Sequence, residues 1–430
     1  MIIRKYFIIQ LFLFLFILPV KIIAQNSNLK SKALEAFEQE KYAAGLDLLK
    51  QAQDSSPEDP EIYYYLGKFK HYLGYDSRPL SGGYDETDSD EVLDLLNKAI
   101  ELNPDYGNAY YFLGAEYGAR AHNYLSGGAL DRAIDQLKLG RKAGGYPDWL
   151  LEYNRNILRS LDKNGILFTG GDAEFNPLLY LQIVEQIRKD VTIICTPLLE
   201  RYWYVDFIKN KMTDFSQSPP LSITDRQIKN LRPYKWKTKK IKIPVCQKVH
   251  KRYALTKSHI EWKLKPDMEH LGRQRPLLNP MGAVITDIIQ TNGFKRDVYF
   301  TIGTTQSMRY NLDPYLMISG LTYKLTPLQD KSDSLAVFIN NDRIDIQKTS
   351  ELLMNPANFQ NFHTVKDHNM PRAALYNNYF ALHLMLARYY KENRYYQKLD
   401  SIKKMYDDIF TAEVHPSLEK FKERLDKIMK

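Results

Sequence analysis

The chain has 430 residues, 44% of them hydrophobic and 26% charged, with a formal net charge of +9. That balance excludes a disordered or fibrous protein and provides apolar material for more than one core. With only Cys195 and Cys246 present, a disulfide scaffold is excluded as well.

The first 24 residues read as a secretory signal peptide: Arg4 and Lys5, an apolar run from Tyr6 to Val20, then Ile22-Ile23-Ala24 ahead of Gln25. Crossing a bilayer takes about 20 apolar residues, and Lys21 interrupts this run early; an uncleaved anchor is the other reading. Removing Arg4, Lys5 and Lys21 lowers the charge from +9 to +6. No cysteine follows the run to take a lipid, and no later segment reaches spanning length. The expectation is an exported protein, periplasmic or associated with the outer membrane, that is not integral to it.

From 25 to 163 the spacing predicts helix pairs. Leu46, Leu49 and Ala52 share one face, and Pro57 and Pro60 end that helix; Leu93, Leu96, Ala99 and Ile100 repeat the plan before Asn103-Pro104. Leu66-Gly67 and Leu113-Gly114 each set a large residue beside a glycine, which lets two helices approach closely. Pro57 and Pro104 lie 47 residues apart, as do Leu66 and Leu113. The pattern resembles the tetratricopeptide repeat, whose unit is about 34 residues, with insertions such as the stretch between Ser77 and Ser89. Such arrays stack into a continuous core with a concave face. Tyr63, Tyr110 and Tyr117 are the candidate residues for a protein or peptide partner; a short cap on the next domain is the alternative.

From 164 to 327 the period changes to α/β. Gly165–Gly170 suits a buried strand, Asn176-Pro177 reads as a helix start, and Tyr180, Ile183, Val184 and Ile187 form its face, with Arg188-Lys189 at its end. Val191–Thr196 is a second strand, Leu198–Met212 a helix, Val284–Asn292 another, and Asp297–Ile302 a third strand. A βαβ unit of this kind implies a Rossmann-like three-layer domain with a mainly parallel sheet and ligands at the carboxyl ends of its strands. Those ends carry Gly170, Gly171, Asp172, Glu174 and Thr304, with Trp203 and Tyr204 as stacking faces. Two carboxylates and no lysine argue against phosphate and fit a cation, an ammonium group or sugar hydroxyls. The alternative is that Asp172 and Glu174 bond nearby backbone N–H groups. Cys195 reads as a small buried hydrophobe, with a Cys195–Cys246 bridge as the other reading.

The residues Ile166–Thr169, Gly171-Asp172, Phe175, Pro177, Tyr180-Leu181-Gln182, Arg188, Asp190-Val191 and Trp203-Tyr204 form a first block. Asn292, Lys295-Arg296, Tyr299-Phe300, Tyr315-Leu316, Gly320-Leu321, Tyr323, Leu325 and Pro327 form a second. Together they are similar to the soluble portion of a family of Bacteroidetes membrane proteins of the protein O-mannosyltransferase type, the DUF2723 or glycosyltransferase family 117 group. The resemblance covers about Gly165 to Pro327. It implies a shared soluble domain in an envelope compartment. The family's multispanning segment, where its acidic pair for glycosyl transfer is expected, has no counterpart, and its GDNDTFP is GDAEFNP here. Shared catalysis is therefore not implied.

Leu231–Tyr253 holds nine Lys or Arg among aromatics. With a signal peptide ahead of it, this is not a nucleic-acid site but an edge strand shielded by lysines, or a surface for anionic lipid or acidic glycan. Residues 328–430 read as an irregular linker, Gln347–His368, followed after Pro371 by a helical hairpin carrying Leu375, Tyr379, Leu382, Leu386 and Tyr389 against Leu399, Ile402, Met405, Tyr406 and Ile409.

No HExxH, Cys/His metal spacing, GxSxG, GxGxxG or P-loop is present, so no catalytic residue, metal or cofactor is assigned. The leading expectation is an exported adaptor that binds a protein partner or glycan without catalysis. The rival is a glycan-acting or degenerate enzyme using Asp172 and Glu174.

Overall fold

Stripes of apolar residues at helical spacing become helix pairs, and glycines set how closely the pairs approach. The computed structural model describes residues 28–74, 86–212, 215–267, 276–329, 337–339, 342–364, 375–410 and 417–430. The predicted signal peptide and Pro371 lie outside them. These residues form two compact units, one of 28–74 with 86–116 and one from 117 to 430.

In the first unit, α1 (28–38), α2 (Tyr42–Ser55), α3 (Pro60–Gly74), α4 (Glu86–Leu102) and the start of α5 (Gly107–Ser126) follow one another. α3 packs on both α2 and α4. Ala33, Leu46, Leu49, Ala52, Ile62, Leu66 and Phe69 are the buried core. A Cβ on Gly67 would stand 2.9 Å from Leu96 Cγ, so α3 and α4 meet here because the side chain is missing. A buried polar tie joins the same helices: His71 Nδ1 lies 2.5 Å from Glu116 Oε2, and the Ser89 hydroxyl donates to the other carboxylate oxygen.

The second unit begins earlier than the boundary at 163 predicts. α6 (Leu130–Lys142) and α7 (Asp148–Arg159) pack on α8 (Asp172–Ile183). Trp149, Leu150, Leu151, Tyr153, Ile157 and Leu158 are all buried, so α7 is covered on nearly every side. A helix covered that way belongs inside an α/β unit, not on the face of a repeat array.

The sheet is built on β1 (Ile166–Thr169), β2 (Thr192–Cys195), β7 (Val298–Thr301), β8 (Leu316–Ser319), β9 (Thr322–Leu325), β10 (Val337–Ile339) and β11 (Asp342–Ile344), in the order β10-β11-β8-β9-β7-β1-β2. β1 pairs in parallel with both β2 and β7, Ile166 facing Thr192 on one side and Val298 on the other. β9 runs against β7 and β8, β11 is parallel to β8, and β10 reverses again. Five of the seven strands thus point one way, in a mixed α/β fold that is mostly helical. β1, β2 and β7 are buried at every residue, as strands covered on both faces are, although β2 is the last strand of the sheet.

α8 differs from its predicted start. It begins at Asp172, so Pro177 lies inside it, where it cannot donate to the Ala173 carbonyl. The Asn154 amide, 3.4 Å away, meets that carbonyl instead. Nor does α8 run on to Arg188. Gln186 and Arg188 adopt left-handed φ of 58° and 52°, which ends the helix. By contrast, α12 (Pro280–Asn292) stops where Gly293 supplies a left-handed cap at φ 52°, as its sequence predicts.

The hairpin β8–β9 is not foreseen. It turns at Gly320, φ 60°, where a Cβ would fall 2.3 Å from the Ser160 hydroxyl. Residues Gln347–Leu353, predicted irregular, lie in α13 (Ile346–Leu353), started by Asp345, whose carboxylate accepts the Lys348 N–H at 2.9 Å.

α9 (Tyr202–Asn210) and α10 (Asp225–Lys229) follow β2, and α11 (Gln247–Arg252) lies further on. β4 (Lys239–Pro244) pairs with β5 (His259–Leu264) as a separate antiparallel ribbon, and β3 (Tyr234–Lys235) with β6 (Leu277–Leu278) as another. At the end, α14 (Tyr376–Glu392) packs on α15 (Tyr396–Asp408) and on α16 (Leu418–Met429). Leu382, Leu386, Leu399, Ile402 and Met405 are buried between them, as the predicted hairpin requires.

Candidate functional site

The amino ends of β1, β2 and β7 are held by two arginines. Arg188 donates to the carbonyls of Leu158 (2.6 Å), Leu161 (3.1 Å) and Asp162 (2.9 Å), and grips Asp190 at 2.8 and 2.9 Å. The Arg188 guanidinium and the Asn164 N–H hold the Asp190 carboxyl down at about 2. Arg296 donates to the carbonyls of Asn164 (2.7 Å), Gly165 (3.1 Å) and Ser218 (3.2 Å) and to the Thr192 hydroxyl (2.5 Å). The Gln182 amide reaches the carbonyls of Arg188 and Val191. Asp162 takes the Tyr299 hydroxyl at 2.8 Å and the Lys324 ammonium at 2.7 Å. Gln182, Arg188, Asp190, Asn292 and Arg296 of the recognisable blocks therefore support backbone at this end, while Lys295 is exposed.

At the carboxyl ends the predicted residues separate into two groups. A Cβ on Gly170 would stand 2.7 Å from the Gly303 carbonyl oxygen, so the tails of β1 and β7 abut. Glu174 closes that junction. Its Oε2 accepts the Gly170 N–H at 3.0 Å and the Thr301 hydroxyl at 2.5 Å, while Oε1, beside Gly303, makes no hydrogen bond. The side chain is fully buried; burial raises its pKa, and the Thr301 hydroxyl and the Gly170 N–H offset part of the rise. Thr304 is buried, donating its hydroxyl to the Thr301 carbonyl at 2.7 Å. Tyr204 is buried too, its hydroxyl accepting the Cys195 N–H at 2.8 Å. Glu174, Thr304 and Tyr204 are thus braces of the sheet rather than a ligand rim, because each is closed to solvent and bonded to a strand or its tail, although Glu174 Oε1 is left without a partner. Gly171, Asp172 and Trp203 remain partly exposed.

Two clefts open on the second unit. One of about 310 Å³ is lined by Arg159, Lys348, Glu351, Asn355 and Asn358. The other, of about 200 Å³, is lined by Arg309, Asp313, Tyr323, Asp342 and Arg343. Neither is lined by any of the seven predicted ligand residues. Cys195 and Cys246 are free, Cys195 buried in β2 and Cys246 donating its thiol to the Phe294 carbonyl at 3.1 Å.

Two residues that sequence reasoning missed have unspent capacity. Glu200 follows β2 in a 3-10 turn, Pro197–Glu200, that packs on α12. Its Oε1 accepts the Met281 N–H in the first turn of α12 at 3.4 Å, while Oε2 has no partner. Burial pushes its carboxyl up to about 7, Asp267 adds to the rise, and the Met281 N–H and Arg201 offset part of it. A carboxyl poised there can give or take a proton at neutral pH. Among the described residues no group of three or more His, Cys, Asp or Glu could hold a metal.

The other is Lys68 on α3, half-buried, with its ammonium 4.9 Å from the Phe37 ring centre, 5.8 Å from Phe112, 5.9 Å from Tyr65 and 6.0 Å from Tyr64. Burial lowers its pKa, and no carboxylate among the described residues is paired with it. The signal was present as tyrosines three and four residues before a lysine on one helix. Of the predicted partner-binding tyrosines, Tyr63 and Tyr110 lie in this unit, half-exposed, Tyr110 donating to the Pro104 carbonyl at 3.1 Å; Tyr117 belongs to the second unit.

Comparison with known proteins gives a limited set of likenesses. A family described as TMEM260-associated domain 2 matches residues 151–235 and 229–348. No curated protein matches the chain. Among solved structures, a point mutant of the O-GlcNAc transferase of Thermobaculum terrenum is similar at 16% identity with a TM-score of 0.22. That likeness covers 40% of this chain, and the chain spans 37% of the solved one.

Proposed function

We propose that the protein is an exported, non-enzymatic binding protein of the bacterial envelope whose tetratricopeptide-like helices engage an acidic partner through Lys68. One observation carries this reading: a half-buried ammonium ringed by four aromatic side chains and paired with no carboxylate among the described residues. Aromatic faces stabilise a cation by about 0.5–2 kcal/mol, which leaves room for an incoming carboxylate to add a charge-assisted bond. The order of charged and apolar residues over 1–24 supports export. Kinship of the α/β unit with the soluble portion of the DUF2723 group, and its Rossmann-like layering, are part of the same reading. The match to TMEM260-associated domain 2 spans the stretch Gly165–Pro327 that carries the resemblance.

The test uses the full chain, immobilised and exposed to envelope extract, as wild type, Lys68→Arg and Lys68→Glu. The expected result is a partner retained by the first two and lost by the third. An identical captured set for all three would remove the reading.

A second reading, a glycan-acting enzyme, moves from Asp172 and Glu174 to Glu200, favoured by a carboxyl with a free oxygen and a pKa near 7. Turnover of an envelope glycan that vanishes in Glu200→Gln, with Lys68→Glu unaffected, would establish it instead.

A further inference from the structure

The basic stretch singled out in the sequence is absorbed by neither reading, and its charge is unusually concentrated. Between Leu231 and Lys265 there are twelve Lys or Arg and one Glu, a balance of +11. The whole chain carries +9, so the remaining residues sum to −2. All twelve cations are exposed, and among the described residues only Lys240 of this segment has an ion-pair partner, Glu261 at 2.7 Å.

The β4–β5 ribbon arranges them on one side. Ile241, Ile243, Ile260, Trp262 and Leu264 point inward and are buried, while Lys240, Lys242 and Lys263 alternate with them and face solvent. Lys240 stands directly opposite Lys263 across the ladder, an arrangement that repels and that a sheet tolerates only at a cost. Shielding a strand edge from other chains needs one or two lysines, not a face of them flanked by a six-residue helix, α11, with no buried residue.

We infer that this ribbon is a docking face for an anionic lipid surface. The face is the exposed side of a two-stranded ribbon whose other side is buried. Tyr234 is 44% exposed beside it, and Trp236 lies edge-on to Tyr234 at 5.8 Å with the Lys239 ammonium 3.9 Å over its ring. Lysines beside a tyrosine and a tryptophan suit a headgroup layer, where each ring has one wet end and one apolar end. The tryptophan is not a free platform for stacking bases. Its ring face is covered by Lys239, and its Nε1–H donates to the Leu264 carbonyl at 3.3 Å.

The experiment is co-sedimentation of the full chain with vesicles of phosphatidylcholine alone or with roughly a third phosphatidylglycerol, at low and high salt. Binding is expected to the mixed vesicles only, weakening at least about tenfold at high salt. The triple variant Lys240→Glu, Lys242→Glu, Lys263→Glu should lose that binding, and the corresponding triple arginine variant should keep it with an unchanged melting temperature. Equal binding to both vesicle types, full binding by the glutamate variant, or tighter binding to heparin or duplex DNA than to the mixed vesicles would overturn the inference.

Discussion

The two ends of the parallel strands are built from similar residue types and do opposite things with them. At the amino end, Arg188 and Arg296 spend their donors on carbonyls, on Asp190 and on the Thr192 hydroxyl, and Asp162 and Asp190 are ion-paired or bonded to N–H groups. At the carboxyl end Glu174 and Glu200 each keep a buried oxygen with nothing bonded to it, and only Glu174 ties two strand tails with the other. The difference teaches that the matching positions at the amino end mark where backbone is held. Unspent chemistry lies elsewhere: Glu200 sits inside the first block but not at a matching position, and Lys68 is in another unit.

The comparison breaks if the clamps prove dispensable. Arg296→Ala removes the donor from the Asn164 and Ser218 carbonyls, and one bond each from the Gly165 carbonyl and the Thr192 hydroxyl, which keep another partner; we expect a loss of about 2–3 kcal/mol in denaturant unfolding. A loss under about 1 kcal/mol would mean the amino end is not what fixes β1 against β7. Glu174→Ala leaves the Gly170 amide and the Thr301 hydroxyl without their acceptor, and should cost about 2–4 kcal/mol. Glu174→Gln keeps one acceptor oxygen and should cost less. Either substitution that abolished ligand capture without destabilising the chain would restore Glu174 as a site residue.

The carboxyl end is sharpened by pH. The Glu200 carboxyl titrates at about 7 folded against 4.5 as the ordinary value, so the folded state holds more protons in that window. Its contribution to stability is therefore present below pH 4.5 and lost as pH rises towards 7, about 1–2 kcal/mol after allowance for its exposed part. Glu200→Gln should flatten that slope, read as the difference between two urea-denaturation series. His122 and His383 act the other way: burial lowers them to about 3 and about 4, so their contribution is lost as pH falls from 6.5. The smallest effect is expected at Lys68. Replacing a partly desolvated ammonium by methionine should change stability by under about 1 kcal/mol, in the stabilising direction, while capture of an acidic partner is lost.

Much of the fold was legible because periodicity is local. The helix pairs, the βαβ unit, the α12 cap at Gly293 and the tail hairpin all follow from residues within a turn or two of one another. What failed did so for nonlocal reasons. The strands β8 to β11 are as short as β1, β2 and β7, and what places them is pairing with β7 and with one another across the sheet, which no local period displays. Asn176-Pro177 looks like a helix start, and only Asn154, from another helix, makes the earlier start tolerable. Asp172 and Glu174 share a loop and look alike in sequence, but Glu174 turns inward to Gly170, Thr301 and Gly303, two of them more than 120 residues away.

β2 ends the sheet and is nevertheless buried at all four residues. The chain just beyond α9 accounts for this: the Ser216 hydroxyl donates to the Val191 carbonyl at 2.7 Å, and the Gln217 carbonyl accepts the Thr192 hydroxyl at 2.6 Å. A segment bonded along the margin in this way occupies the place an intruding strand from another molecule would take. The sheet is thus closed to growth on its most apolar side, which guards against runaway self-association through the very strands that make up its centre.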